Sequence, residues 1–266
     1  MTPLARHYAT ETEHDRLTRT PHGRLEFLRT QELLRRFLTT PAKILDVGGG
    51  TGVHAGWLAR DGHTVHLVDV VPAHVDAAAA LPGVTAEVGD ARRLPAADDS
   101  VDVVLVMGPL YHLVDPADRA RALAEARRVL RPGGVLAAAA ISRYLSTVET
   151  GTTGALTENL LPSVETVVAT GEYDGHVGFV PTHWHTADEL RAEIRQAGLV
   201  DVEIYGVEGP AWPALDVAGA HEFAARAEAA LRCARLVERD PLLINASAHF
   251  LAVARSPERP VVDRAG

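Results

Sequence analysis

Residues 44–57 read ILDVGGGTGVHAGW, an apolar run that ends in an acid and continues into glycines. Glycines after a strand let a ligand approach the backbone closely, so the stretch indicates a strand and loop that bind a nucleotide-containing ligand. Three ligands fit: a dinucleotide, a nucleoside triphosphate and S-adenosylmethionine. A triphosphate loop ends in Gly-Lys-Ser/Thr, and no lysine stands here, which excludes that class.

The acid before the glycines bears on the remaining choice. Gly50, Gly52 and Ala55 satisfy the G-x-G-x-x-A spacing of dinucleotide sites. Asp46, two residues before Gly48, would lie poorly beside a pyrophosphate but well beside the ammonium group of an amino acid. Asp46 therefore favours S-adenosylmethionine.

Two further aspartates follow the next predicted strands. Asp69 ends TVHLVD, where its carboxylate can bind both ribose hydroxyls, a feature that a dinucleotide site shares. Asp90, in GDARRLP, can face the amino group of adenine, which the dinucleotide fingerprint does not require. With Asp46, these residues predict a site for the methyl donor.

Strand-like runs alternate with helical ones from Lys43 onward, which is typical of a parallel sheet with helices on both faces. The helix after Pro116 is expected to end at residues 131–134, ArgProGlyGly, and Thr186 is expected to be the N-cap of TADELRAEIRQAGL. Residues 142–185 are rich in Gly, Thr and His and predict an irregular insert. The predicted strands are KILDV, TVHLVD, VTAEVGD, VDVVLVM and VLAAAAIS.

The 266 residues predict one enlarged α/β domain. A further helical stretch at about residues 215–239 is expected to form a lid. The expected parts are an N-terminal helical cap (1–40), a cofactor-binding core (41–142), a substrate insert (143–185) and a C-terminal helix, strands and lid (186–266).

Composition limits the partners. The net charge of -9 without a dense basic run argues against nucleic acid and favours a small-molecule substrate. No apolar run approaches the roughly 20 residues that cross a bilayer, so no membrane partner and a cytoplasmic location are expected. Cys233 is the only cysteine, which excludes an intrachain disulfide. A homo-oligomer stays open.

From about Ile44 to Ser142 the chain resembles the class I S-adenosylmethionine-dependent methyltransferases. The motifs ILDVGGGTG, LVDVVP, GDARRLP, VDVVLVMGPLYHL and RVLRPGG stand in the family's order and at its spacings. The resemblance implies a Rossmann-like sheet with an antiparallel final hairpin, and S-adenosyl-L-methionine as cofactor. The cofactor-binding residues that it implies are Asp46, Gly48, Gly50, Gly52, Asp69, Val70, Asp90, Ala91, Met107 and Gly108, with Tyr8 closing over the donor.

Three further segments lie outside those motifs: EHDRLTRTPHGRLEFLRT near the N-terminus, VEGPAWP, and ERDPLLINASAHFLAVARSP near the end. With them, the chain resembles across most of its length bacterial small-molecule methyltransferases that include geranyl diphosphate carbon-methyltransferases. Methylation of an alkene carbon leaves a cation, which needs aromatic faces and a carboxylate to remove a proton. Glu172, in GEYDGHVGF, is the predicted catalytic base, and Asp174 is its rival. The predicted substrate-binding residues around it are Tyr173, Phe179, Trp184, Trp212 and His112.

A prenyl diphosphate would be bound by arginines: Arg16, Arg24 and Arg143 are the candidates, with Mg²⁺ between acid and phosphate oxygens. His183 and His185 could also hold a metal, although alternate strand residues produce that spacing without one. Two other functions stay open. One is methylation of oxygen or nitrogen in a small metabolite, and the other is a non-catalytic nucleotide-sensing domain.

Overall fold

The computed structural model describes residues 16–38, 41–176 and 179–259. Nine strands lie in two sheets: a seven-stranded sheet of order β3-β2-β1-β4-β5-β9-β8 and a hairpin of β6 and β7. Strands β1 to β5 pair in parallel, and β9 runs antiparallel to both β5 and β8. The Rossmann-like α/β prediction with its antiparallel final hairpin is confirmed. The strands are β1 (Lys43–Val47), β2 (Thr64–Asp69), β3 (Val84–Val88), β4 (Val101–Val106), β5 (Leu130–Ile141), β6 (Glu172–Tyr173), β7 (Thr182–His183), β8 (Val200–Gly206) and β9 (His249–Arg255).

Helices cover both faces of the seven-stranded sheet. They are α1 (Arg16–Arg19), α2 (Pro21–Phe37), α3 (Val53–Arg60), α4 (Pro72–Ala79), α5 (Pro109–His112), α6 (Pro116–Val129), α7 (Leu145–Thr153), α8 (Leu161–Thr170), α9 (Ala187–Gln196), α10 (Trp212–Ala218) and α11 (Phe223–Val237). Two short 3₁₀ turns add Ala220–Glu222 and Ile244–Ala246. Helices α10 and α11 lie in the region where the sequence predicts a helical lid.

The core forms two apolar layers, one on each side of the sheet. On one side, Leu123 of α6 and Leu190 of α9 pack against strand residues such as Leu136. On the other side, Leu33 of α2 and Trp57 of α3 pack against the strand residues of the opposite face. The central strands are mostly apolar because both of their faces are buried.

The start of α9 follows from its sequence. The Thr186 hydroxyl accepts a hydrogen bond from the Glu189 N–H, and the Glu189 carboxylate accepts one from the Thr186 N–H. This capping box satisfies two N–H groups that would otherwise lack partners, as the predicted N-cap requires.

The predicted end of the helix after Pro116 is confirmed, because α6 ends at Val129 with Leu130 as its C-cap. Residues 131–134 then lie inside β5, where Gly133 takes a φ of 72° and the pairing with β4 shifts register. The expectation about the insert is wrong. The insert is not irregular, because it contains α7, α8 and the β6–β7 hairpin. The buried face of α7 is made by Ser146 and Thr150, so its helical period carries no apolar signal. In the described part of the chain, no helix is long and apolar enough to span a membrane.

Candidate active site

A cavity of about 440 Å³ opens at the carboxyl edge of the parallel strands. This is the edge at which open α/β sheets bind ligands. The first residue of β9 reaches the same edge because β9 is antiparallel. Helix α2 closes the cavity with Glu26 and Thr30. The predicted cofactor residues that line it are Gly48, Gly50, Asp69, Val70, Asp90, Ala91 and Met107.

The glycine loop between β1 and α3 forms the cavity floor. Gly50 takes a φ of 56°, which a side chain would strain, and its N–H donates to Oδ2 of Asp69 at 2.9 Å. At Gly48 a β-carbon would meet the Pro109 ring at 2.7 Å, so a glycine lets this loop touch the segment after β4. Gly52 is the N-cap of α3 and does not line the cavity.

Asp46 lies beneath this loop with none of its surface exposed. Neither carboxylate oxygen has a hydrogen-bond partner among the described residues. Burial first, and then the charge of Asp69, raise the pKa of Asp46 to about 7. A buried acid of this kind fits a ligand that brings its own hydrogen-bond donors and positive charge, such as an ammonium group.

Asp69 joins the glycine loop to the end of β2. Besides the bond from Gly50, its Oδ1 accepts a hydrogen bond from the Val71 N–H at 2.8 Å. The carboxylate is therefore fixed in the cavity wall with lone pairs left for ligand hydroxyls. Val70 is 42% exposed and lies beside it.

Asp90 lies at the end of the cavity next to β3. Its pKa is lowered, chiefly by the side-chain hydrogen bonds from Arg92, which donates to both carboxylate oxygens. Arg92 also forms an ion pair with Asp118 at 2.7 Å. Ala91 forms a buried part of the same wall. Asp90 is thus an acceptor that stays ionised.

Beyond β4, the wall is built by residues of α5 and the loop before it. Met107 and Gly108 line the cavity, and the Tyr111 hydroxyl donates to the Met107 carbonyl at 3.4 Å. The ring of His112 also faces the cavity and packs on Phe179, with ring centroids 5.6 Å apart. This part of the wall mixes apolar surface with aromatic rings.

The sequence of residues 44–134 matches the family of methyltransferase domains. An uncharacterised methyltransferase of Mycobacterium bovis is 46% identical over 95 residues, which cover 35% of this chain and 37% of that protein. A ubiquinone biosynthesis O-methyltransferase of Xylella fastidiosa is 29% identical over 206 residues, 72% of this chain and 77% of that protein. The matched segment thus spans little more than a third of the Mycobacterium relative.

This chain is thus similar to a methyltransferase domain over residues 44–134. Its fold agrees with the crystal structure of an S-adenosylmethionine-dependent methyltransferase of Thermotoga maritima, with a TM-score of 0.60, 18% identity, and coverage of 96% of this chain and all of that one. The matched residues of the methyltransferase domain run from β1 into β5 and include the glycine loop, Asp69 and Asp90.

Several predicted substrate residues lie outside the cavity of the methyltransferase domain. Glu172 is exposed on the β6–β7 hairpin, opposite His183. Tyr173 and Trp184 are buried and stack on each other, with ring centroids 4.4 Å apart. Phe179 is half-buried and packs with this pair. These residues form a small core of their own, and they do not surround the cavity with Glu172 at its centre.

Trp212 begins α10 and is only 1% exposed. It packs with Leu25 of α2, Leu215 and Ala230, and its indole N–H donates to the Ala246 carbonyl at 3.2 Å. In the described residues, the side chain contributes to the core between α2 and the C-terminal helices and does not line the cavity.

The arginines proposed for a diphosphate are also placed elsewhere. Arg143 is buried, forms an ion pair with Glu189 and donates to the Ala169 carbonyl at 3.4 Å. Arg24 is exposed, with its guanidinium 5.6 Å from the Phe223 ring centroid. Tyr8 and the side chain of Arg16 lie outside the described residues.

Two groups of side chains in the described segments have the spacing of metal ligands: His183, His185 and Glu193, and Glu26, Glu208 and His249. Burial would raise the pKa of Glu193, but hydrogen bonds from His185 and Arg119 outweigh it and lower the pKa to about 2. Burial and the neighbouring His185 lower the pKa of His183 to about 4. Arg119 thus already neutralises the acid of the first group. Mg²⁺ prefers all-oxygen ligands, so neither group matches it.

Sequence reasoning missed three residues at the cavity: Glu26, Glu208 and His249. Glu26 and His249 line it, and Glu208 is fully buried behind His249. They come from α2, the end of β8 and the start of β9. No local motif joins these three residues, so no pattern along the chain indicated this group.

Proposed function

We propose that the protein transfers the methyl group of S-adenosylmethionine to a small molecule. The observation that carries the proposal is the buried carboxylate of Asp46, which lies under the glycine loop without a hydrogen-bond partner among the described residues. An amino-acid ammonium bound on the loop would supply a compensating positive charge. When bound, the donor supplies an electrophilic methyl group on a sulfonium.

The other acids of the cavity support the same donor over a dinucleotide. A pyrophosphate on the glycine loop would lie close to both Asp46 and Asp69, and like charges in a buried site repel strongly. Asp69 instead suits ribose hydroxyls, and Asp90 can accept from the adenine amino group. The residues present thus match the ammonium, ribose and base of one ligand.

The charge of the cavity favours an acceptor that carries a hydroxyl or an amine. Among the described lining residues the only arginine is Arg92, which is paired with Asp90 and Asp118. Glu26 and His249 line the cavity near α2 and β9. We therefore place O- or N-methylation before carbon methylation of a prenyl diphosphate, which would need arginines such as Arg143 that are paired elsewhere.

Two measurements test the proposal. Calorimetry with S-adenosylhomocysteine, the demethylated form of the donor, and with NAD decides the donor. S-adenosylhomocysteine should bind and NAD should not. Tight NAD binding together with no response to S-adenosylhomocysteine would overturn the proposal. Incubation with S-adenosylmethionine and a panel of phenols, amines, carboxylic acids and prenyl diphosphates, followed by mass analysis, then decides the acceptor. A mass increase of one methyl group only in the prenyl diphosphates would contradict the preference for oxygen or nitrogen.

A further inference from the structure

A histidine and a buried glutamate are hydrogen-bonded at the end of the cavity that lies farthest from Asp90. Nδ1 of His249 lies 2.6 Å from Oε1 of Glu208. Glu208 has no exposed surface, whereas the His249 side chain is 14% exposed and lines the cavity. This is the arrangement in which a third group orients a base.

Ser247 fixes the direction of these hydrogen bonds. Its hydroxyl accepts from the N–H groups of Glu208 and Gly209, at 2.9 and 3.1 Å, so its own proton points to Oε2 of Glu208 at 2.8 Å. The same oxygen accepts from the His249 N–H at 2.9 Å. Oε2 of Glu208 therefore accepts two hydrogen bonds, as a carboxylate oxygen does.

The protonation of the imidazole follows. With Oε1 of Glu208 also as an acceptor, Nδ1 of His249 would carry the proton and Nε2 the lone pair, which is the tautomer that the inference requires. Glu26 adds a second negative charge, with its Oε2 3.8 Å from Nδ1. Both carboxylates lie where they would stabilise the positive charge that His249 gains once it accepts a proton.

The order of strands places His249 at the acceptor end of the cavity. Asp90 and Asp69 follow β3 and β2, the glycine loop follows β1, and Met107 follows β4. His249 begins β9, on the far side of β5 from β4. The donor residues thus lie at the ends of β3, β2, β1 and β4, on one side of the cavity. His249 lies on the other side, two strands beyond β4.

Other histidines of the cavity lack this combination. His54 accepts a hydrogen bond from the Trp57 indole at 3.2 Å, and His112 packs between Tyr111 and Phe179. His74 lies 3.4 Å from Asp69, at the ribose end. Only His249, among the histidines of the described cavity wall, is held by a buried carboxylate at the acceptor end.

We propose that His249, held by Glu208, is the catalytic base that removes the proton from the oxygen or nitrogen that is methylated. The inference rests on the proposed function. The nucleophile's lone pair forms a bond to the methyl carbon, and the carbon–sulfur bond breaks with its electron pair returning to sulfur. The nucleophile's proton passes to Nε2 of His249, and the resulting imidazolium is stabilised by Glu208, a positioning residue.

The first experiment determines the tautomer of the His249 imidazole without turnover. In ¹⁵N-labelled protein, the long-range imidazole spectrum should show His249 as the Nδ1–H tautomer, assigned by its disappearance in His249→Gln. S-adenosylhomocysteine should bind wild type and His249→Gln equally. An Nε2–H tautomer would overturn the base role, whereas a wild-type protein that does not bind S-adenosylhomocysteine would overturn the proposed function itself.

The second experiment uses the phenol or amine that the mass screen methylates. His249→Gln should lower kcat roughly 100-fold or more. His66→Gln is the matched control, because His66 is also paired with a glutamate, Glu87 at 2.8 Å, but lies outside the cavity. It should turn over normally. Normal turnover by His249→Gln would overturn the proposal.

Glu208→Gln tests the positioning role through the pH profile. The groups around His249 are Glu208, Glu26 and the His22–Asp216 pair, whose Nδ1–Oδ2 distance is 2.5 Å. Loss of the Glu208 charge should move the acidic limb of kcat/KM to lower pH, because the imidazolium loses a stabilising negative charge. An acidic limb that stays in place while only the protein's stability falls would reduce Glu208 to a structural residue and overturn its role.

Discussion

The carboxylate of Asp46 lies directly beneath Gly49: a β-carbon at position 49 would come within 2.6 Å of Oδ2 of Asp46. The same β-carbon would lie 2.5 Å from a methyl group of Leu67. Only a glycine therefore lets the loop close over the buried acid. Because no side chain separates Asp46 from the loop surface at Gly49, the Asp46 charge lies close to a ligand bound on the loop.

Gly49→Ala should weaken S-adenosylhomocysteine binding strongly, because the added methyl group displaces either the loop or the Asp46 side chain. We expect a loss of roughly 2 kcal/mol or more, the range of overpacked buried sites. Calorimetry measures it. Gly151→Ala, in α7 with no heavy atom within 4 Å of its β-carbon position, is the matched control and should bind normally. Equal binding by both variants would show that the loop does not need the close approach at Gly49.

Binding of the donor should depend on pH through Asp46. In the ligand-free protein the pKa of Asp46 is raised to about 7, so the acid is mostly protonated below that pH. An ammonium ligand needs the ionised form. The affinity for S-adenosylhomocysteine should therefore fall about tenfold for each pH unit below 7 and level off above it. Calorimetry between pH 5 and 8 in two buffers of different ionisation enthalpy should also detect a released proton below pH 7.

Asp46→Asn provides the control for that pH dependence. The amide keeps the size of the side chain but loses the charge, so binding at pH 8 should weaken by roughly 1 to 4 kcal/mol, the attraction between two unit charges about 4 Å apart. Below pH 7 the variant should show a flat profile. A tenfold slope that persists in Asp46→Asn would assign the titration to another group.

Asp69→Ala should weaken donor binding by roughly 1 to 3 kcal/mol. Two losses combine: the acceptor for ribose hydroxyls and the anchor for the N–H groups of Gly50 and Val71. Calorimetry with S-adenosylhomocysteine and with adenosine separates them, because a loss confined to ribose recognition lowers both affinities equally. Unchanged affinity for both ligands would remove Asp69 from the site.

Local patterns along the chain were enough to predict that the proposed donor-binding residues lie at one edge of the sheet. Asp69 ends β2, Asp90 lies two residues after β3, and the glycines stand between a strand and a helix, so spacing along the chain places them together. Asp46 is the exception in one respect, because it lies under the loop and not in the cavity wall. Its burial depends on β2 and β4 pairing on either side of β1, which the chain order does not state.

The acceptor side could not be predicted in the same way. His249 and Glu208 are 41 residues apart, and Glu26 comes from α2 at the other end of the chain. Their proximity results from the antiparallel entry of β9 beside β5. Aromatic residues misled the sequence interpretation for a related reason: Trp212, Trp184 and Tyr173 carry apolar surface that suits a core as well as a pocket.

Trp212→Ala should lower the free energy of unfolding by roughly 3 to 5 kcal/mol, the cost of emptying a buried aromatic site. The side chain fills the core between α2 and the C-terminal helices, so chain-length preference among apolar acceptors should stay fixed. Urea denaturation measures the first effect and competition between short and long acceptors the second. Trp212→Phe keeps an aromatic ring but loses the hydrogen bond to the Ala246 carbonyl. Its free energy of unfolding should therefore lie between those of wild type and Trp212→Ala. A changed acceptor preference at unchanged stability would place Trp212 in the substrate pocket.

Glu172→Gln distinguishes the two candidate bases. The side chain is exposed on the β6–β7 hairpin and does not line the described cavity, so we expect turnover and S-adenosylhomocysteine binding to stay essentially unchanged. Asp174→Asn is the matched control from the same hairpin region. Asp174 is held by His176 at 2.5 Å and by Ser163 at 3.0 Å, contacts that are local and exposed, and its variant should also turn over normally.

A fall in kcat of roughly 100-fold in Glu172→Gln, with donor binding intact, would return the role of the base to Glu172. Because carbon methylation needs a carboxylate beside the cation, that result, together with normal turnover by His249→Gln, would make a prenyl diphosphate the better acceptor.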